Sequence, residues 1–578
     1  MVEPSSFLKT CISRLLSQCK SMRELRKIHG LIVTSPSLCE PDRYFLNTRL
    51  LFFCAISEAG SLPYASKVFH HLEKLNLFVY NALIRGYASK SLNGQGSDYY
   101  ASLVLYGQML RDGISPDGLT FPFVLKECTR RVDSHMGMAV YCHVVKFGFH
   151  SDVYIQNCMI SLLSECRLLG YALKLFDEMP ERDIVSWNSV ISGCIRNGEL
   201  DLALNMFRRL DMRSIYTWNS IITGSVQAGQ PKVALELFQE MHVAGNDGVR
   251  PDKITIASVL SACASLGTLD HGNWVYSYLK RSGLEFDMVI ATALVDMYGK
   301  CGHVDKAAKI FRGMPKKDVL AWTAMITVCA LHGYGKEALN LLNEMDKEGV
   351  KPNHVTFVGL LSACAHTGLI EEGRWCFDMM QRVYSIEPCV HHYACMVDIL
   401  SRAALFDEAE KLISGMLVEP DVYVWGALLG GCQMHHNFQL GEKVALKLID
   451  LEPQNHAFYI NLCDIYAKAD RFNDVKRVRA LMQNKGITKD TPGSSLIELD
   501  GIVREFSVQG SPEIIMEELK QVIQRVVTSA ILSRKARNPQ NILRIGVSIS
   551  RKNVLFRLEN FFSRYPGSNE GCALPSRR

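Results

Sequence analysis

Four of five near-copies of one phrase carry a hydrogen-bonding side chain at the same slot. The phrases are Val79-Tyr80-Asn81-Ala82-Leu83-Ile84, Ser186-Trp187-Asn188-Ser189-Val190-Ile191, Thr217-Trp218-Asn219-Ser220-Ile221-Ile222, Ala321-Trp322-Thr323-Ala324-Met325-Ile326 and Val424-Trp425-Gly426-Ala427-Leu428-Leu429. The slot after the aromatic residue holds Asn, Asn, Asn, Thr and Gly. Amides and hydroxyls both donate and accept hydrogen bonds. A polar slot that varies while its surroundings repeat suits a surface that reads something unit by unit. Catalytic metal spacing is missing. The 19 Cys include no C-x-x-C pair, which removes the commonest zinc and thioredoxin signatures. Cys263 and Cys364 recur in Ser-Ala-Cys-Ala, and Cys166 and Cys301 recur before a turn. They read as small buried apolar residues in a reducing compartment. No metal and no cofactor is expected.

The elements that hold this slot are repeats. A second phrase follows about twenty residues on, as Ala172-Leu173-Lys174-Leu175-Phe176-Asp177-Glu178-Met179 and Ala234-Leu235-Glu236-Leu237-Phe238-Gln239-Glu240-Met241. Units fall at 43–76, 77–117, 118–152, 153–183, 184–214, 215–252, 253–287, 288–318, 319–353, 354–389, 390–421, 422–455 and 456–490, with a weaker unit at 8–42. Two helices of about 13 residues with short turns fill such a length. In 319–353, Ala321, Trp322, Met325, Ile326 and Ala330 recur at helical steps, and Ala338, Leu339, Leu342 and Met345 do so again. Gly333-Tyr334-Gly335 separates the two helices, and Gly349 and Pro352 end the second.

Composition adds limits. The chain has 578 residues, and 48% of them are hydrophobic, enough for the continuous core of a stacked array. No run of eighteen apolar residues indicates a membrane span. The net charge is +5, but residues 529–578 hold ten Lys/Arg and two Asp/Glu, so the first 528 residues carry −3. Bulk charge alone does not predict nucleic-acid binding. Residues 1–20 contain Lys9, Arg14 and Lys20 against Glu3. They read equally as an organellar transit peptide or as the first helix of a repeat.

Unit lengths alternate. Units ending at Asp152 and Asp287 have 35 residues, and each precedes a 31-residue unit ending Met-Pro-x-x-Asp at Asp183 or Asp318. This grammar resembles the plant pentatricopeptide repeat family, in particular its PLS subclass, over roughly residues 8–528. Leu360-Leu361-Ser362-Ala363-Cys364-Ala365-His366-Thr367-Gly368-Leu369 looks like a last long unit, and His392-Tyr393-Ala394-Cys395-Met396-Val397-Asp398 like a last short one. Residues 422–490 look like two E motifs. Pro492-Gly493-Ser494-Ser495-Leu496-Ile497-Glu498-Leu499 and Val503-Arg504-Glu505-Phe506 look like the start of an E-plus extension.

The resemblance implies an all-α fold, a right-handed superhelical solenoid of stacked helical hairpins whose first helices line the concave face. It also implies site recognition for C-to-U editing. A DYW deaminase domain needs H-x-E and P-C-x-x-C. Here His71-Leu72-Glu73 is the clearest H-x-E and no C-x-x-C exists. The chain is therefore expected to be no enzyme and to recruit a trans-acting DYW-type deaminase or accessory editing factors through residues 422–528.

The family sets two residues of each unit, the fifth and the last, against one RNA base, with the second residue packed on the base face. Phe78, Val185, Val289 and Leu320 hold that stacking place; stacking holds a base without choosing it. A carboxylate only accepts and so suits U and G, whereas Asn can donate and suits C and A. The family adds Asn with pyrimidines and Thr or Ser with purines. Carried over, Asn47/Asn76 favours C, Asn81/Asp117 U, Asn157/Asp183 U, Asn188/Ser214 C, Asn219/Asp252 U, Thr292/Asp318 G and Thr323/Asn353 A. Pro122, Ala257 and Val358 leave the long units silent, and Ala394/Asp421 is weak. The implied sequence is 5′-C-U-x-U-C-U-x-G-A-x-x. Asn, Thr, Ser and Asp are also helix N-caps, and capping alone explains a polar residue at these places but not why the pairs differ. The Trp and Tyr of the phrase are expected to pack in the core.

The expected organisation is a possible transit segment and degenerate first repeat at 1–42, an array of P, L and S units at 43–421, E-like motifs at 422–490, an E-plus-like extension at 491–528 and a basic tail at 529–578. The expected partner is single-stranded organellar RNA, bound by a monomer in the mitochondrion or, alternatively, the chloroplast. A role in splicing or stability, or a tetratricopeptide-like protein scaffold, are the other readings. The scaffold would follow W-x-x-L-G-x-x-Y, which the chain does not.

Overall fold

In a computed structural model of the chain, residues 4–90, 101–243, 249–487, 494–499 and 502–507 are described. They form 28 α-helices and one two-stranded antiparallel hairpin. The odd-numbered helices open each repeat: α3 (Glu40–Ile56), α5 (Leu77–Lys90), α7 (Thr120–Arg131), α9 (Val153–Glu165), α11 (Ile184–Arg196), α13 (Ile215–Gln227), α15 (Lys253–Leu266), α17 (Met288–Lys300), α19 (Val319–Leu331), α21 (His354–Thr367), α23 (Val390–Arg402), α25 (Val422–Met434) and α27 (His456–Lys468). The chain divides into two compact units, Met1–Gln230 with Glu240–Arg250, and Pro231–Gln239 with Pro251–Arg578. In the first, α3, α5, α7, α9, α11 and α13 pack side by side, each neighbour on the next. In the second, α15, α17, α19, α21, α23 and α25 do the same.

The repeated phrase explains this stacking. Its aromatic residue packs edge-on against a Phe of the preceding repeat's second helix. Ring centroids are 4.9 Å apart for Phe176 and Trp187, 4.8 Å for Phe207 and Trp218, and 4.9 Å for Phe311 and Trp322. Tyr80 meets Phe69 at 5.2 Å. Trp218, Trp322 and Tyr80 are buried, so these rings belong to the core. Truncating such a ring to Ala costs about 3–5 kcal/mol. Cys263, Cys301 and Cys364 are also buried, Cys166 is half-buried, and all described Cys are free thiols.

Most first helices start where a polar side chain caps them; α3 and α23, which start after Cys39 and Cys389, do not. Asp183, Ser214, Asp252 and Asn353 form capping boxes with Ser186, Thr217, Thr255 and Thr356. Helix ends use the left-handed region: Gly267 and Gly368 follow α15 and α21 at φ 70°. After α7 the same place is taken by Val132 at φ 56°, a conformation that crowds a β-branched side chain. Val132 is 55% exposed, so little burial is at stake. Val132→Gly is expected to stabilise the chain by about 1 kcal/mol, read as a higher midpoint in urea unfolding. An unchanged or lower midpoint contradicts this.

The carboxyl-terminal helices α25, α26 (Phe438–Leu451), α27 and α28 (Phe472–Asn484) share one core cluster with α23 and α24 (Phe406–Ser414). Ile465, Tyr466, Val475 and Val478 are buried in it, whereas Leu481 is 42% exposed. The all-α solenoid expectation holds through α28, and a short hairpin follows it. β1 (Ser494–Leu499) pairs antiparallel with β2 (Ile502–Ser507), Leu499 opposite Ile502. The sequence between the strands is Asp500-Gly501, a two-residue hairpin signal that helical periodicity does not register. The rest of the 491–528 extension and the 529–578 tail lie outside the described residues. No helix among the described residues is long and apolar enough to cross a membrane.

Candidate nucleic-acid interface

The second residue of the first helix is large, apolar and exposed in repeat after repeat. Phe78, Tyr154, Val185 and Tyr216 hold this place in the first unit, and Ile254, Val289, Leu320, Val355 and Tyr423 hold it in the second. Their exposure runs from 46% at Val355 to 73% at Tyr216. Scattered exposed apolar residues are ordinary, but nine at one register are not scatter. The fifth residue lies three places on, along the same helical face. Tyr154, Ile254 and Val355 stand in repeats that lack the repeated phrase; their signal is the residue two after each unit-final Asp or Asn.

In most repeats the last residue of the unit caps the next first helix; Cys389, before α23, makes no such side-chain bond. Asn76 accepts from the Val79 N–H at 3.0 Å, Asp117 from Thr120 at 2.9 Å, Asp183 from Ser186 at 2.7 Å, Asp318 from Ala321 at 2.9 Å and Asn353 from Thr356 at 3.0 Å. Asp152, Asp287 and Asp421 cap likewise after units whose fifth residue is Pro122, Ala257 or Ala394. Capping at this place therefore does not depend on a polar fifth residue. The fifth residue itself does not cap, because it lies inside its helix.

The structure brings several of the expected pairs together. The Asn81 amide donates to Asp117 Oδ1 at 3.0 Å, and Asn157 donates to Asp183 Oδ1 at 3.1 Å. Asn188 and Ser214 meet through Thr217, whose hydroxyl donates to Asn188 Oδ1 at 2.7 Å and lies 3.0 Å from Ser214 Oγ. Thr323 and Asn353 meet through Thr356, at 2.8 and 3.0 Å. Thr292 and Asp318 are not joined: the Thr292 hydroxyl donates to the Met288 carbonyl of its own helix at 2.8 Å. Asn47 is half-buried in α3, its Oδ1 without a partner, and Asn76 is exposed. Because α3 opens at Glu40 rather than at residue 43, Asn47 lies a turn deeper than the other fifth residues. Asn219 is buried in α13 of the first unit, and Asp252 caps α15 in the second with the Thr255 N–H at 2.9 Å.

Between α9 and α11 the face opens into a cleft of ≈ 230 Å³ lined by Ser161, Ser164, Val185, Asn188, Ser192 and Arg196. One wall therefore carries both the second and the fifth residue of the 184–214 repeat. Around Asp183, burial pushes the carboxyl up, but bonds from the Ser186 N–H, the Ser186 hydroxyl and the Asn157 amide outweigh it and hold the group below its ordinary value. The sign follows. A carboxylate depressed in the folded chain stabilises it fully above the unfolded value of about 3.9 and loses that contribution as pH falls through the folded value. Stability supplied by this cap is expected to stay flat from about pH 8 to pH 5, and Asp183→Ala to cost about 1 kcal/mol across that window. Urea midpoints at several pH values check both.

His71 closes α4 (Leu62–His70), exposed, with Nδ1–H donating to the Lys67 carbonyl at 2.7 Å. Among the described residues no group of three His, Cys, Asp or Glu is placed to hold a metal.

Comparison with known proteins covers most of the chain. The E motif profile matches residues 435–498. The PPR repeat family profile matches 213–265 and 317–366, and the PPR repeat profile matches 157–184, 185–215, 289–319 and 355–383. Pentatricopeptide repeat-containing protein At1g59720, chloroplastic/mitochondrial, of Arabidopsis thaliana is 36% identical over 546 residues, spanning 91% of this chain and 79% of its own. Pentatricopeptide repeat-containing protein At5g66520 of Arabidopsis thaliana is 40% identical over 513 residues, 88% of this chain and 81% of its own. The solved structure of the pentatricopeptide repeat protein PPR10 in complex with an 18-nt psaJ RNA element aligns at 17% identity with a TM-score of 0.40, over 84% of this chain and 80% of that one.

Proposed function

Since the chain belongs to the pentatricopeptide repeat family, we propose that it is a sequence-specific single-stranded RNA-binding protein that selects sites for C-to-U editing in organellar transcripts. The observation that carries this reading is the row of exposed apolar residues lying one helical turn from the paired polar ones. RNA bases stack on the row, and the pair meets the Watson–Crick edge, which single-stranded RNA leaves open.

The geometry supplies a physical reason for the base preferences. Asn81 must turn its NH2 toward Asp117, because a carboxylate only accepts. Its Oδ1 takes a bond from the Thr120 hydroxyl at 2.8 Å. The amide orientation is thereby fixed, and the second N–H is left to face a base. Both C and U offer O2 as an acceptor there, so Asn favours pyrimidines. The unit-final residue then separates them, since Asp accepts the N3 proton of U and Asn can donate to N3 of C, as Ser does once its hydroxyl turns from Thr217 to the base. The seven pairs then read 5′-C-U-x-U-C-U-x-G-A-x-x.

The array at 43–421 binds the RNA. The E-like motifs at 422–490 and the extension at 491–528 engage a trans-acting deaminase or accessory factor, which supplies the chemistry. Gly426 occupies the fifth place of the first E-like unit, so base choice stops before it. An organelle is the proposed location, the mitochondrion or alternatively the chloroplast; the relative named above carries both in its name. Sequencing organellar transcripts from a plant lacking the protein tests the reading. Loss of one or a few C-to-U conversions downstream of the read sequence is expected. Intact editing with altered splicing or abundance overturns it.

A further inference from the structure

Each joined pair has a third member. We propose that the hydroxyl of the third residue of the following repeat, at Thr120, Ser186, Thr217 and Thr356, is a positioning residue for base choice, holding the reading pair in its base-facing arrangement before RNA arrives. The inference rests on the base-reading proposal above.

The geometry recurs. Thr120 Oγ1 lies 2.8 Å from Asn81 Oδ1 and 2.9 Å from Asp117 Oδ1, and it accepts the Asp117 N–H at 3.1 Å. Ser186 Oγ donates to Asp183 Oδ1 at 2.8 Å, the same oxygen that takes the Asn157 amide. Thr217 bridges Asn188 and Ser214, and Thr356 bridges Thr323 and Asn353. Thr120, Ser186, Thr217 and Thr356 are all buried. They cannot reach a base themselves, so they act through the pair. A hydroxyl that fixes which way an amide or hydroxyl points removes rotamer freedom that RNA binding would otherwise have to freeze. Where it donates to the amide oxygen, at Asn81 and Asn188, it also fixes donor against acceptor at the base edge, which is what selectivity requires.

The same chain contains the contrast. The residue equivalent to Thr120 is Ala321 after the Thr292/Asp318 pair and Val79 after the Asn47/Asn76 pair. Neither pair is joined. Thr292 bonds its own helix, and the Asn76 side chain bonds the Val79 N–H rather than Asn47. In the six pairs other than Asn219/Asp252, the linking hydroxyl and the joined arrangement therefore come and go together.

The test is binding of the full chain to the RNA read above and to single-base changes of it. The wild-type chain is expected to prefer U to C at the second base, opposite Asn81 and Asp117; if it does not, the base-reading proposal falls and this inference with it. Given that preference, Thr120→Val, which keeps shape and removes the hydroxyl, is expected to lower it about 3- to 10-fold while preferences at the other bases stay unchanged. Thr120→Ser is expected to restore it. A purely structural role would lower affinity evenly over all bases or only the urea midpoint. Either of those results, or an unchanged preference in Thr120→Val, overturns the inference. Should Thr120→Val fail to fold, Ala321→Ser decides: an added hydroxyl beside Thr292/Asp318 is expected to sharpen the preference for G at the eighth base about 3-fold, and no change overturns it.

Discussion

Thr292→Asn changes the preferred base opposite Thr292 and Asp318 from G toward a pyrimidine, with U favoured over C. Asp318 still accepts, so the base must carry a ring N–H, which both G and U do. What changes is the partner. An amide N–H replaces a hydroxyl and meets the O2 that pyrimidines present. A well-made base pair of contacts is worth about 1–3 kcal/mol, so the G-to-U ratio is expected to move by about 5- to 150-fold. The substitution disturbs little else. The Thr292 hydroxyl bonds only the Met288 carbonyl, and Asp318 keeps its cap on Ala321. Competition binding with RNAs differing only at the eighth base reads the change, and an unchanged ratio shows that the fifth residue of this repeat does not choose the base.

Tyr154→Ala combined with Tyr216→Ala weakens RNA binding without changing which bases are preferred. These rings are 60% and 73% exposed and stand two residues past a capping Asp152 or Ser214. Stacking on an aromatic side chain is worth about 1–3 kcal/mol per base and tolerates any base. The double variant is therefore expected to lose about 10³-fold in affinity, within a factor of about 30 either way. Because so much of each ring faces solvent, the urea midpoint is expected to hold. Unchanged affinity contradicts the stacking role, and a large fall in the midpoint shows that the rings support the fold instead.

The first helices were legible because apolar residues recur at helical steps and a polar residue stands before most of them. Trp322 and Phe311 recur at spacings that only a buried repeat interface explains, and the structure buries them together. Two things were less visible. Asp183 was open to two readings, as a cap or as a base-reading residue. It is a cap in the folded chain, and the same oxygen also holds Asn157, so capping does not exclude a second role. Thr120 opens α7, and Thr356 is the third residue of α21. Their signal was present as Asp-x-x-Thr and Asn-x-x-Thr, a capping-box pattern, but their reach back to Asn81 and Thr323 joins residues more than thirty apart in sequence. Only packing of neighbouring first helices creates that contact. The β1–β2 hairpin was missed for a plainer reason: its period is two, and every preceding element repeats at 3.6.

Binding of the purified chain at fixed salt to 5′-C-U-x-U-C-U-x-G-A-x-x, against an RNA of the same composition with G and A moved to the second and fourth places, tests the central claim most directly. Non-specific phosphate attraction is equal for the two RNAs, so any difference comes from base order. The account predicts at least about 100-fold tighter binding to the first. Equal affinity for the two would contradict it.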